Sequence, residues 1–166
     1  MAPTYRAAVI TLSDKGSAGE RQDLSGAKVV EILSQAGFEI SKRLILPDDR
    51  QTLAQTLAQW ADSGQLDFIV TTGGTGFSPR DWTPEATLEV AERLVPGLAE
   101  LMRLEGYKKT PRAMLSRGVA VIRAKTLIVN LPGSPKAVAE NLSALVPILD
   151  HALEVLAGDS GDCARP

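Results

Sequence analysis

A chain of 166 residues, 44% apolar and 23% charged, is long enough for one domain with its own core and has the profile of a soluble globular protein. Its formal charge of −2 excludes the strongly basic footprint of a nucleic-acid binder, and no apolar run reaches the roughly 18–20 residues of a membrane span. One Cys and one His exclude an intrachain disulfide and a zinc site built from several such ligands.

Tyr5 to Leu12 (YRAAVITL) is apolar and β-branched, short enough for a buried strand. Met1 to Arg6 hold no apolar stretch before a cleavage site, so a cytosolic protein is expected. Ser13 to Gln22 is polar and glycine-containing; Asp23 then reads as the N-cap of a helix with Leu24, Ala27, Val30 and Leu33 on one face, closed by Gly37. Phe38 to Leu46 is a second strand, stopped by Pro47. Asp48 with Gln51 forms a candidate capping box opening a helix that ends near Gly64. Leu66 to Thr72 (LDFIVTT) is a third strand and runs straight into Gly73-Gly74-Thr75-Gly76. Thr83 and Pro84 fit the N-cap and first turn of the next helix, with Glu85 well placed for the helix dipole. Pro96-Gly97 breaks that helix, and Leu98 to Glu105 forms another. Pro111 to Ser116 is one helical turn. Val119 to Ile122 and Thr126 to Asn130 form a hairpin. Ser134-Pro135 starts a last helix, interrupted at Pro147 and ending near Leu156. Residues 159–166 read as a disordered tail, leaving a single domain over 1–158.

Strands alternating with helices predict a three-layer α/β/α fold with a mostly parallel sheet, to which the hairpin adds one antiparallel edge strand. In such sheets ligands sit beyond the carboxyl ends of the strands. That rule collects Ser13 and Asp14 after the first strand, Asp48 and Asp49 after the second, and Gly73 to Gly76 with Ser78, Arg80 and Asp81 after the third. Pro132, Gly133, Ser134 and Lys136 follow the last strand.

Each of these residues has a plainer role available. The glycines could serve a tight turn, but three of them with a Thr between a buried strand and a capped helix suit a loop whose N–H groups face an anion. The segment is neither GxxxxGK[ST] nor GxGxxG. Asp48 could be only a helix cap and Asp81 only a solvated loop residue; at neighbouring strand ends they could instead share Mg²⁺, which takes carboxylates, water and nucleotide phosphates. Arg80, Arg117 and Lys136 are candidates for phosphate oxygens, although solvated surface accounts for each of them singly. Trp82 could stack on a planar ligand or pack on the helix that follows. His151, among Leu149, Leu153 and Leu156, is a packing or surface residue, so any catalysis rests on carboxylates, hydroxyls, cations and main-chain N–H groups.

Phe68 to Asp81 (FIVTTGGTGFSPRD), followed by WTPEAT, resembles the signature of the MogA/MoaB family of molybdenum-cofactor biosynthesis proteins, also found as a domain of gephyrin. VITLSD at Val9–Asp14, LPDD at Leu46–Asp49, AMLSR at Ala113–Arg117 and NLPGSPKAV at Asn130–Val138 agree in the same order, the adenylyltransferase (MogA) branch being the nearer match. The resemblance implies a homotrimer and, with Mg²⁺, conversion of molybdopterin and ATP into adenylylated molybdopterin and pyrophosphate. It implies that Asp48 and Asp81 are the functional acids. Gly73, Gly74 and Thr75 become the pterin-phosphate loop, and Ser116, Pro132 and Gly133 further parts of the ligand rim. Trp82 stands where the family more usually has a small aliphatic residue. The rival expectations are a non-catalytic pterin carrier of the same fold, a relative hydrolysing other nucleotides, and a purely structural trimer.

Overall fold

The computed structural model describes residues 4–158; Cys163 and the expected tail lie outside the described residues. In chain order the elements are β1 (Arg6–Leu12), α1 (Asp14–Ser17), α2 (Leu24–Gln35), β2 (Glu39–Leu46), α3 (Arg50–Asp62), β3 (Phe68–Thr72), α4 (Thr83–Val90), β4 (Arg93–Leu94), α5 (Pro96–Tyr107), a 3₁₀ segment (Pro111–Leu115), β5 (Ala120–Arg123), β6 (Thr126–Leu131) and α6 (Pro135–Ala157). They build one six-stranded sheet in the order β2-β1-β3-β6-β5-β4. The first four strands in that order are parallel; β5 is antiparallel to β6, giving the expected hairpin, and the two-residue β4 pairs outside it.

Side-chain alternation along the strands sorts the core into two layers. Ala7, Val9, Phe68, Val70, Leu127 and Val129 face α2, α5 and α6, where Val29, Leu33, Met102, Leu142 and Leu145 meet them. Ala8, Ile10, Ile69 and Ile128 face α3 and α4, where Leu53, Leu57, Ala86 and Val90 meet them. The central strands are thus buried on both faces, which is why they read as unbroken apolar runs rather than alternating ones.

Four local expectations change. Asp49, not Asp48, caps α3, accepting from the Thr52 N–H at 2.8 Å. The N-cap position of α4 is Trp82, so Thr83 falls inside the helix and its hydroxyl is released for another bond. Helix α6 runs through Pro147 without a break: Pro147 and Ser143 are both exposed, so water reaches the carbonyl that lacks its usual donor. Ser13 to Ser17, expected as loop, contains the short helix α1, with the Ser13 hydroxyl accepting from the Gly16 N–H at 2.9 Å.

Register decides where the loops emerge. Leu12 lies beside Leu46, Thr11 beside Thr72, and Thr72 beside Leu131. The four parallel strands therefore end at one level, and Ser13, Pro47, Gly73 and Pro132 leave from the same edge. Chain order reverses direction between β1 and β3, which opens a crevice there.

Candidate functional site

Four strand ends converge on the glycine loop. The Gly73 N–H donates to Leu131 O at 3.1 Å, and the Thr72 hydroxyl donates to Pro132 O at 2.7 Å, joining the ends of β3 and β6. The Thr83 hydroxyl donates to Gly73 O at 2.9 Å and the Thr83 N–H to Gly74 O at 3.1 Å, tying the loop to α4. Gly73 and Gly74 hold φ of +98° and +70°, a region that disfavours residues with a Cβ. Space enforces the same choice, since a Cβ on Gly73 would lie 2.5 Å from Leu12 O.

With the loop's carbonyls so engaged, the N–H groups of Gly74, Thr75, Gly76 and Phe77 have no partner among the described residues. Four successive free donors at the end of a buried strand are available to cradle an anion.

Asp48 and Asp81 stand beside it. A Cβ on Gly74 would lie 3.5 Å from Asp48 Oδ1, and one on Gly76 would lie 2.9 Å from Asp81 Oδ2. Asp48 and Asp14 clasp one another: the Asp14 N–H donates to Asp48 Oδ2 at 3.1 Å, and the Asp48 N–H donates to Asp14 Oδ1 at 2.9 Å. Arg80 grips both Asp14 oxygens, at 3.0 and 2.8 Å. Those bonds from Arg80, followed by the Asp48 N–H, hold the Asp14 carboxyl below the usual carboxylate range. Burial raises Asp48 above that range, and the charges of Asp14 and Asp81 push it the same way. Asp81 Oδ2 accepts from the Ser78 N–H at 3.0 Å. Among the described residues, one oxygen of Asp48 and one of Asp81 therefore remain without a donor.

The cradle separates two clefts. One, about 540 Å³, is lined by Thr11, Ser13, Asp23, Asp48, Gly73 and Gly74 among others. The second, about 470 Å³, is lined by Thr75, Gly76, Met102, Arg103, Ser116 and Pro132 among others. Gly74, Asp81 and Gly133 touch both.

Most of the expected rim is thus in one place: Ser13, Asp48, Gly73, Gly74, Thr75, Gly76, Asp81, Ser116, Pro132 and Gly133 all line one cleft or both. Ser134 lines neither, because its hydroxyl caps α6 by accepting from the Ala137 N–H at 3.1 Å. Asp14 also lines neither; its oxygens are taken by Arg80 and Asp48. Lys136 is exposed and lines neither, although its neighbours Pro135 and Ala137 each line one. Trp82 sets its ring under the Arg50 guanidinium, 5.7 Å from the centroid, and its indole N–H donates to Pro79 O. Asn130 is buried at the wall of the second cleft, its amide donating to the Thr71 and Thr87 hydroxyls at 2.9 Å each.

Sequence reasoning missed several wall residues. Asp23, identified only as a cap, also accepts from the Thr11 hydroxyl at 2.9 Å and pairs with Arg43. Arg103 holds the Gly118 carbonyl at 3.0 Å, and Arg112, Glu140 and Asn141 line the second cleft without lying in any motif. Arg117 is a half-buried strut rather than solvated surface.

Residues 8–151 match the family model described as "Probable molybdopterin binding domain". The chain belongs to this molybdopterin-binding family. Its relatives include a molybdopterin adenylyltransferase of Helicobacter pylori (strain J99), 40% identical over 94% of this chain and 90% of that protein. The molybdopterin adenylyltransferase of Escherichia coli K12 is 43% identical over 86% of this chain and 74% of its own length. Among solved structures, the molybdopterin biosynthesis enzyme MoaB of Thermus thermophilus superimposes with a TM-score of 0.88 at 52% identity, covering 93% of this chain and 98% of that one. Among the described residues, no helix is long and apolar enough to cross a membrane.

Proposed function

We propose that this chain is a molybdopterin adenylyltransferase, joining AMP from ATP to the terminal phosphate of molybdopterin and releasing pyrophosphate. The observation that carries the reading is the run of free N–H groups from Gly74 to Phe77, set between two clefts with an open oxygen of Asp48 and of Asp81 beside it. A cradle in that position suits the point where two phosphorylated substrates meet, and each cleft is left for the organic part of one of them.

The chemistry asks little of a base. A phosphate monoester already carries about −1.5 to −2 charge at neutral pH. Its oxygen attacks the α-phosphorus of ATP; the new P–O bond forms as the bond to the β-phosphate oxygen breaks, and the electron pair leaves with pyrophosphate. His151, exposed on α6 and outside both clefts, has no part in this. What the protein supplies is alignment of two anions that repel one another, and donors fixed before they arrive.

A divalent cation fits the acids. Among the described residues no three His, Cys, Asp or Glu side chains stand close enough for an all-protein cage, while Asp48, whose ionisation burial and the neighbouring acids oppose, and Asp81 each keep an oxygen free. Mg²⁺ takes one or two carboxylates and completes its shell with water and phosphate. Asp48 and Asp81 would hold it, and it would supply neutralisation of the triphosphate and the departing pyrophosphate. A cytosolic homotrimer completes the reading, to be checked by fractionation and by light scattering against the 17.7 kDa chain mass.

Incubation with molybdopterin, ATP and Mg²⁺ tests the proposal: adenylylated molybdopterin and pyrophosphate should appear in equal amounts. Tight pterin binding with no pyrophosphate would make the protein a carrier. Asp81→Asn should lower turnover by about 10²–10³ while pterin binding survives. Wild-type turnover in that variant would remove Asp81 from the mechanism.

A further inference from the structure

Arg117 follows the 3₁₀ segment and makes four bonds to the polypeptide around the cradle. Its N–H donates to Thr75 O at 2.9 Å, Nε to Gly76 O at 2.8 Å and Nη2 to Asp81 O at 2.7 Å, while Nη1 pairs with Glu85. In a trans peptide the carbonyl and the following N–H point in opposite directions. Drawing the Thr75 and Gly76 carbonyls onto Arg117 therefore turns the Gly76 and Phe77 N–H groups to the other side of the loop. Those are two of the four donors without a partner.

We propose that Arg117 is a positioning residue: it clamps the carbonyl side of the glycine loop so that the N–H side presents a fixed donor set to a substrate phosphate. The inference rests on the adenylyltransferase reading for its substrate, but its geometry does not depend on it. Two observations separate a clamp from a simple positive charge. Glu85 pairs with Arg117, so the charge is largely neutralised where it stands, and among the described residues the buried Glu85 Oε2 has no partner, leaving that carboxylate held on one side by Arg117. The bonds also leave Arg117 in three directions from one planar group. A lysine has a single ammonium on a flexible stem and cannot reproduce that fork.

Amide NMR of the folded protein titrated with inorganic pyrophosphate gives the direct test. In the wild type the Gly76 and Phe77 amide signals should shift as pyrophosphate binds. In Arg117→Lys those shifts should collapse, and KM for molybdopterin should rise by about tenfold or more, with KM for ATP changing less. Glu85→Gln keeps an acceptor for Nη1, so its KM should rise by a smaller factor. If the role were only charge, Glu85→Gln would tighten pyrophosphate binding instead, and that result overturns the clamp. An Arg117→Lys protein that loses thermal stability yet keeps wild-type KM values and amide shifts also overturns it. Should Arg117→Lys fail to fold, the wild-type titration still decides, because unmoved Gly76 and Phe77 amides sink the proposal. Failure of the enzyme reading looks different: no adenylylated product from the wild type, with Arg117-dependent pyrophosphate binding intact.

Discussion

At the β2–α3 junction the rim is made of side chains. Asp48 and Asp14 bond each other's main-chain N–H groups, and Arg80 spans the gap on the solvent side. At the β3–α4 junction it is made of main chain: Gly73 to Gly76 contribute conformation and N–H groups, held from behind by Thr83 and Arg117. Both junctions leave parallel strands at the same level, yet they respond to different perturbations. Charges in the first answer to pH and salt. Peptide geometry in the second answers to neither, and fails when a Cβ intrudes.

Glycine replacements should break the comparison most forcefully. In Gly73→Ala the new Cβ meets Leu12 O at 2.5 Å while φ stays at +98°. Strain of that kind, added to the left-handed penalty, should cost about 3 kcal/mol or more and lower Tm by about 10 °C. Gly64→Ala isolates the second part: φ is +68° but nothing lies within 4 Å, so about 1–2 kcal/mol is expected. Equal Tm losses in calorimetry would mean that close approach of the β1 and β3 ends contributes nothing.

Asp48→Asn should separate stability from activity. Burial, then the charges of Asp14 and Asp81, set the folded Asp48 pKa above its unfolded value. Folding thus favours the neutral acid, and that contribution is present at low pH and lost as pH rises through the folded pKa. Asn is neutral throughout and can still accept the Asp14 N–H. The variant should therefore melt about 2 °C above the wild type at pH 7, with the gap closing on acidification, while turnover falls by about 10²–10³. A variant less stable than the wild type at pH 7 would show that the Asp48 charge is already compensated within the chain.

The same contrast explains what could be read in advance. Apolar runs and the punctuation of Asp23, Pro47 and Ser134 located the helices and the parallel strands, because burial on both faces leaves few polar residues in β1, β3 and β6. The positions of Asp48 and Asp81 beside the glycine loop were legible as well, since both follow strands that end at the same edge of the sheet. Asp48 and Asp49 were not separable by sequence: either can cap α3, and only the Asp14 clasp decides which one is drawn away. The two-residue β4 leaves no periodic signal. Arg117 was legible only as a cation, because its function consists of carbonyl directions, and these belong to a loop about forty positions away. Long-range bonds to main-chain atoms leave no trace in residue type.

Arg80→Gln should produce the smallest effect and the sharpest control. Its pair with Asp14 is open to solvent, at 61% and 44% side-chain exposure, so the variant's Tm should stay within about 1 °C of the wild type. The small difference has a definite sign. Arg80 lowers the folded pKa of Asp14, so what it contributes is present above the ordinary carboxylate range and vanishes as pH falls through that lowered value. It should also shrink between 0.1 and 1 M salt, as the screening length drops from about 10 to about 3 Å. Arg80 moreover helps keep Asp48 ionised, so losing it should move the acid limb of the activity profile to higher pH. A large, salt-insensitive loss of Tm would place Arg80 among the struts with Arg117, and the division between a junction built on charge and one built on backbone would no longer hold.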